Sequence, residues 1–230
     1  QNTAASDFFF LPRRDSVRLV ETVVELCKTR LPDKMGIPAD ELQVLTPPRR
    51  GDAGTRSLNF ALQAALNPPK PGKQERRFGE LIFREGDRVM QTRNDYDVVW
   101  QKEDGTAGTG IFNGDVGKIA KIDPSGELLE IVFDDRTATY TSDMLAELDM
   151  AYAMTVHKAQ GSEYRAVILS AFSGSQLLLT RSVLYTAITR ARELFIIVGN
   201  EEVIAAMTRN DRQQRRYSGL KLRLEQGEAE

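Results

Sequence analysis

The run Thr155-Val156-His157-Lys158-Ala159-Gln160-Gly161-Ser162-Glu163-Tyr164 lies between two apolar stretches of strand length, residues 148–156 and 166–172. Nearly every kind of hydrogen-bonding side chain is present in it, and so polar a loop is costly unless a polar partner meets it. Taken singly, His157 reads as a satisfied structural histidine and Lys158 as a solvated cation. Taken together, the density of donors suits phosphate and sugar oxygens, and the ligand reading prevails. No second His or Cys lies nearby to complete a metal site.

Outward from this loop the pattern alternates between strand and helix. Downstream, residues 176–192 have helical spacing, with Leu184, Ala187, Ile188 and Ala191 as the buried stripe and Thr189 and Arg190 beside it. A strand at 195–198 and a helix at 201–207 follow, then a mostly charged tail, 209–230. Upstream, Phe8 to Leu11 reads as a strand ended by Pro12. Val17, Val20, Val23, Val24, Cys27 and Leu31 then share one face of a helix over 16–31. Residues 42–46 read as a buried strand stopped by Pro47 and Pro48, and Leu58, Leu62, Ala65 and Leu66 as a second helix. After the proline- and lysine-rich stretch 68–73 the texture changes. The short runs 88–92, 116–122, 128–133 and 137–140, separated by Gly, Asp, Asn or Pro, predict a small β barrel. The expectation is an α/β domain formed by 1–82 and 148–230, interrupted by a β insertion at 83–147.

At 230 residues, with 41% hydrophobic and 28% charged positions, the chain can bury a sizeable core, which excludes a disordered or fibrous class. Lys and Arg total 31 against 33 Asp and Glu, so any polyanion site must be local. The single cysteine, Cys27, excludes an internal disulfide and fits a reducing compartment. No run reaches the roughly 18 apolar residues of a membrane span. Gln1, not Met, opens the chain, and the expectation is a start inside a longer protein.

Three polar clusters carry the candidate chemistry, and ligands of open parallel sheets collect at the carboxyl ends of strands. The expectation is that all three share that edge. They are Thr46-Pro47-Pro48-Arg49-Arg50-Gly51, the 155–164 loop, and Tyr185-Thr186-Ala187-Ile188-Thr189-Arg190-Ala191-Arg192. Guanidiniums suit phosphate oxygens, although paired loop arginines are as often merely solvated. No phosphate-binding P-loop is present: Gly117-Lys118-Ile119 has Phe112 where the first Gly should stand and Ile119 in place of the hydroxyl. Ile131-Val132-Phe133-Asp134-Asp135 mimics a magnesium-binding strand but reads better as a strand and turn within the β insertion.

In this order the clusters resemble the motifs of the carboxy-terminal motor domain of superfamily one helicases. Met154 to Glu163 looks like motif V, and Tyr185 to Arg192 like motif VI. Leu45 to Gly51, followed by Leu58-Asn59 and Leu62-Gln63, resembles motif IV of the RecD-like branch, the exodeoxyribonuclease V alpha subunit family. Gly86-Asp87-Arg88-Val89-Met90-Gln91 and Phe112-Asn113-Gly114-Asp115-Val116-Gly117 resemble that branch's SH3-like inserted domain.

The resemblance implies a RecA-like second motor domain with an inserted SH3-like β-barrel. It implies part of a bacterial, cytoplasmic, ATP-dependent 5′-to-3′ DNA helicase of repair or recombination. ATP and Mg2+ would be held mainly by an amino-terminal motor domain of the same protein, and this chain alone would be inactive. Arg49 and Arg190 match the arginines that reach the γ-phosphate, a contact worth about 10³ to 10⁵ in rate. Gly161 and Glu163 match positions near the nucleotide; Thr155, His157, Lys158 and Gln160 fall where the family meets single-stranded DNA or couples it to ATP. Other repair subunits are further expected partners. The competing expectation is a free-standing DNA-binding or adaptor module without ATPase activity.

Overall fold

The structure is a computed structural model that describes residues 6–47, 50–172, 174 and 177–211. One sheet is built from both ends of the chain. With strands numbered along the sequence, it contains β1 (Phe8–Pro12), β2 (Leu42–Thr46), β12 (Ala153–Thr155), β13 (Tyr164–Ala171) and β14 (Ala191–Gly199). Their order is β1-β14-β13-β2-β12, and every neighbouring pair is parallel.

The central strands β2 and β13 are buried on both faces, which is why they read as continuous apolar runs. Val44, Ile168 and Ile196 face one core, with Leu19 and Val23 of α1 (Ser16–Glu25) and Leu58 and Leu62 of α3 (Thr55–Leu66). Leu45, Val167, Phe195 and Ile197 face the other, with Val183, Leu184 and Ala187 of α4 (Arg181–Ile188) and Met207 of α5 (Glu201–Arg209). Each fully buried leucine contributes about 1.5–3 kcal/mol of transfer free energy. No helix among the described residues is long and apolar enough to cross a membrane.

The first helix begins where expected, capped by Asp15, whose side chain accepts from the Val17 and Arg18 amides. It runs further than its apolar stripe implied. A π turn at Leu26–Arg30 leads into α2 (Leu31–Met35). The regular ladder is already broken there, so Pro32 enters without removing a needed donor.

A second, seven-stranded sheet holds β5 (Arg88–Gln91), β6 (Asp95–Gln101), β7 (Ala107–Ile111), β8 (Val116–Ile122), β9 (Leu128–Phe133), β10 (Arg136–Thr141) and β11 (Leu148–Met150). The order β11-β5-β8-β9-β10-β6-β7 leaves β11 and β7 at its ends. Its core contains Ile119, Ile131, Phe133 and Tyr140. Residues 131–135 are the end of β9 and the turn after it, where Asp135 pairs with Lys102 at 2.9 Å. β6 and β7 escaped the sequence reading because polar and glycine positions interrupt their apolar pattern. A hairpin of β3 (Glu75–Phe78) and β4 (Leu81–Arg84) precedes this sheet, and Phe83 is buried in the same core.

The apolar run 148–156 is not one strand. β11 pairs antiparallel with β5 in the second sheet, whereas β12 pairs parallel with β2 in the first. Ala151 and Tyr152 make the crossing, and buried amides replace the ladder they leave. Asn59 Nδ2 donates to the Met150 and Ala153 carbonyls at 3.1 and 2.9 Å, and its Oδ1 accepts from the Ala153 amide at 2.7 Å. Gln43 Nε2 donates to the Tyr152 carbonyl at 3.2 Å.

The two sheets are also joined through Asp87, which is fully buried. Its carboxylate accepts from Gln63 Nε2 (2.6 Å), Asn67 Nδ2 (2.7 Å), the Tyr152 hydroxyl (2.8 Å) and the Arg84 amide (2.8 Å). Burial raises its pKa, and these four hydrogen bonds oppose the rise.

The expected helix over 176–192 is shorter. Gln176 lies outside the described residues, and α4 starts after Thr180, whose hydroxyl caps the Val183 amide at 3.3 Å. The helix ends at Ile188, and Ala191, expected on its buried stripe, is the first residue of β14. The Arg190 carbonyl accepts from the Tyr164 amide at 2.8 Å, which starts parallel pairing before another helical turn can form.

Candidate nucleic-acid interface

The polar loop after β12 is a winding turn fastened at its two apolar residues. Val156 and Ala159 are buried, three positions apart on one side, which turns His157, Gln160 and Gly161 outward to exposed positions. Main-chain bonds hold this shape: the Val156 amide donates to the Thr46 carbonyl (3.2 Å) and the Lys158 amide to the Thr155 carbonyl (3.0 Å). Gly161 has φ of +90°, a conformation L side chains rarely adopt, and open space surrounds the site of its absent Cβ.

The loop also crosses the sheet. Thr155 is level with Thr46 at the carboxyl end of β2. Glu163 precedes Tyr164, which pairs with Ala191 at the amino ends of β13 and β14. By register that depth runs from Ala191 to Val198 on β14, roughly 20–23 Å at strand rise. The expectation of one shared edge therefore fails. Thr155 belongs to the carboxyl edge; Ser162, Glu163 and Arg190 belong to the opposite one. The cause is the short β12, whose chain must traverse the sheet to begin the next parallel strand.

Arg190 is half-buried in the turn between α4 and β14. Its Nη1 donates to the Ser162 carbonyl at 3.0 Å, its Nε to the Thr186 carbonyl at 3.3 Å and its Nη2 to Thr189 Oγ1 at 3.2 Å. The structure thus brings Arg190 together with Gly161, Ser162 and Glu163. Tyr185 and Ile188 on the adjoining helix are exposed. Arg49 lies outside the described residues. A cleft of about 930 Å³ between the sheets is lined by Glu163, Arg88, Lys118 and Arg136. Arg88 donates to the Leu42 carbonyl at 2.8 Å and lies 5.8 Å over the Tyr164 ring; burial lowers its pKa.

Lys158 is not a free cation at the carboxyl side. Its Nζ donates to Asn113 Oδ1 in the turn after β7. It also lines a groove of about 440 Å³ with Thr55, Thr92, Arg93, Asp149 and Thr155. The sequence reading did not single out Asn113 or Arg93 as site residues, because their approach to Lys158 depends on pairing across the inserted sheet. Asn59, Gln63 and Asp87, quoted for their motifs, prove to be joints of the fold.

Residues 58–133 match the ATP-dependent RecD-like DNA helicase SH3 domain, and residues 150–198 match the UvrD-like helicase C-terminal domain. The chain is 38% identical to the ATP-dependent RecD2 DNA helicase of Deinococcus radiodurans over 74% of its own length. In both matched segments the chain resembles the RecD-like helicases. This RecD-like chain is also 34% identical, over 80% of its length, to the RecBCD enzyme subunit RecD of Mycolicibacterium smegmatis. It covers 22% of the first relative and 29% of the second. Bacteroides Pif1 bound to ssDNA aligns over 93% of this chain and 50% of that one, at 15% identity and a TM-score of 0.48. The fold is α/β around the parallel sheet, and residues 58–133 carry the match to the SH3 domain. The Lys158–Asn113 contact joins the two matched segments.

Proposed function

We propose that this chain is the carboxy-terminal motor part of an ATP-dependent 5′-to-3′ DNA helicase, with 1–82 and 148–230 as the RecA-like domain and 83–147 as its insert. The observation that carries this reading is the loop 155–163. It starts at Thr155 on the carboxyl side of the sheet, carries His157, Lys158 and Gln160, and is fastened at its other end to Arg190 by the Ser162 carbonyl.

In the proposed mechanism the first group grips single-stranded DNA. Gly161 and Glu163 border ATP, which a second motor domain holds with Mg2+. The exposed Tyr185 and Ile188 suit contact with that domain. Arg190 meets the γ-phosphate and stabilises charge as the bond to the leaving diphosphate breaks. Arg49 takes the same role on its motif alone. One backbone segment then reports strand binding to the nucleotide across the depth of the sheet.

The test is ATP hydrolysis and strand displacement by the full-length protein. DNA-dependent hydrolysis and displacement from a 5′ tail are expected. Hydrolysis indifferent to DNA, or displacement only from a 3′ tail, overturns the reading.

A further inference from the structure

Two aromatic rings stand exposed beside the grip that Lys158 makes on the insert. Tyr96 on β6 is 66% exposed and Phe112 40%, and they meet edge to face at 5.5 Å. A register shift between Asp95 and Val99 places Tyr96 in an irregular part of β6, off the regular ladder. The Phe112 ring lies across Gly110, where a Cβ would stand 2.9 Å from its ring tip, so a side chain there would displace it. The Phe112 amide donates to Asp115 Oδ2 at 3.1 Å and the Asn113 amide to Asn94 Oδ1 at 3.0 Å. The rings are thus held in place before any partner arrives.

Resting on the DNA-facing reading of the 155–160 segment, we propose that Tyr96 and Phe112 form a base-stacking step for single-stranded nucleic acid on the inserted domain. Asn113 links the rings to the loop. Phe112 adjoins Asn113, Asn113 holds Lys158, and Lys158 shares its groove with Arg93, three residues from Tyr96. Arg93, which lies 3.8 Å from Glu147, and Lys158 give the groove two cations against Asp149, and cations beside exposed rings are the combination that binds single strands without reading their sequence. Asp95 and Asp97 flank Tyr96 and repel phosphates. The backbone therefore follows Arg93 and Lys158, and the bases turn toward the rings. Solvent-exposed aromatics are a costly surface for a soluble domain, and flat π faces suit bases of any identity.

The test titrates full-length protein with oligothymidine and with an abasic strand of equal length, at several salt concentrations. The double variant Tyr96→Ala/Phe112→Ala is expected to bind oligothymidine about 5- to 150-fold more weakly, with an unchanged salt slope. Its affinity for the abasic strand should equal that of the unsubstituted protein, and Tyr96→Phe should retain full binding. Lys158→Ala should instead lower the salt slope by about 0.7. Unchanged oligothymidine binding by the double variant, with the Lys158 effect intact, overturns the stacking step alone. If neither variant alters binding, the DNA-facing reading of the loop fails with it. An equal loss on the abasic strand, or normal DNA binding with lost ATPase, assigns the rings to structure or to a protein surface and overturns the proposal.

Discussion

Arg190 and Ser162 are joined by a hydrogen bond of 3.0 Å from a guanidinium nitrogen to a main-chain carbonyl, between two turns at the amino edge of the first sheet. Three of the five N–H groups of an arginine are engaged at this position, and two stay available for an incoming anion.

In the full-length protein, Arg190→Ala is expected to lower kcat for ATP hydrolysis by about 10³ to 10⁵ while leaving single-stranded DNA affinity largely intact. Arg190→Lys should not restore it, because a point charge cannot keep three divergent bonds and still present a fork. Steady-state hydrolysis and DNA titration measure both. Hydrolysis at the normal rate in the alanine variant would remove the assignment.

His157 and Gln160 are exposed, so truncating either to alanine should change unfolding free energy by less than about 0.5 kcal/mol. Each is expected to weaken single-strand binding about 2- to 10-fold through one lost hydrogen bond. Denaturant unfolding and anisotropy titration separate the two effects. A large stability loss with unchanged binding would make these residues structural.

Asp87→Asn is expected to cost about 3 kcal/mol. Both carboxylate oxygens accept two donors, so an amide nitrogen in either orientation faces groups that can only donate or that already do. The urea midpoint should fall accordingly. A variant as stable as the parent would show that the joint between the sheets lies elsewhere.

Burial raises the Cys27 thiol from its ordinary 9.0 to about 12, with the Arg88 charge opposing it. The unfolded chain ionises this thiol near pH 9, but the folded chain does not until about pH 12. The stability that neutral burial provides is therefore complete below pH 9 and lost as pH rises toward 12, by about 1.4 kcal/mol per unit. Cys27→Ala should flatten that part of the stability profile relative to the parent. Parallel profiles would refute it.

Periodicity revealed α1, α3, β2, β13 and the alternation that makes the first sheet, because each buries a regular face. It could not show where 148–156 breaks, since both halves are apolar and the crossing is held by residues distant in sequence, among them Asn59, Gln43 and Asp87. It also misplaced Ala191: a short alanine stripe satisfies a helix face and a strand start equally, and the Arg190–Tyr164 pairing decides. The loop residues were legible as a polar cluster. Their division between two edges was not, because depth across a parallel sheet depends on register.

The crossing at Ala151 and Tyr152 leaves no slack. Two residues reach about 7 Å, and the second of them is itself tied to Asp87. The entrance at 68–73 is a longer connection, tied back where Lys73 donates to Asn67 Oδ1, and the exit is only these two residues. A swing of the inserted domain is therefore a tug on Met154 and Thr155, where the polar loop begins. Two residues of chain separate the last strand of the insert from the strand that carries Thr155.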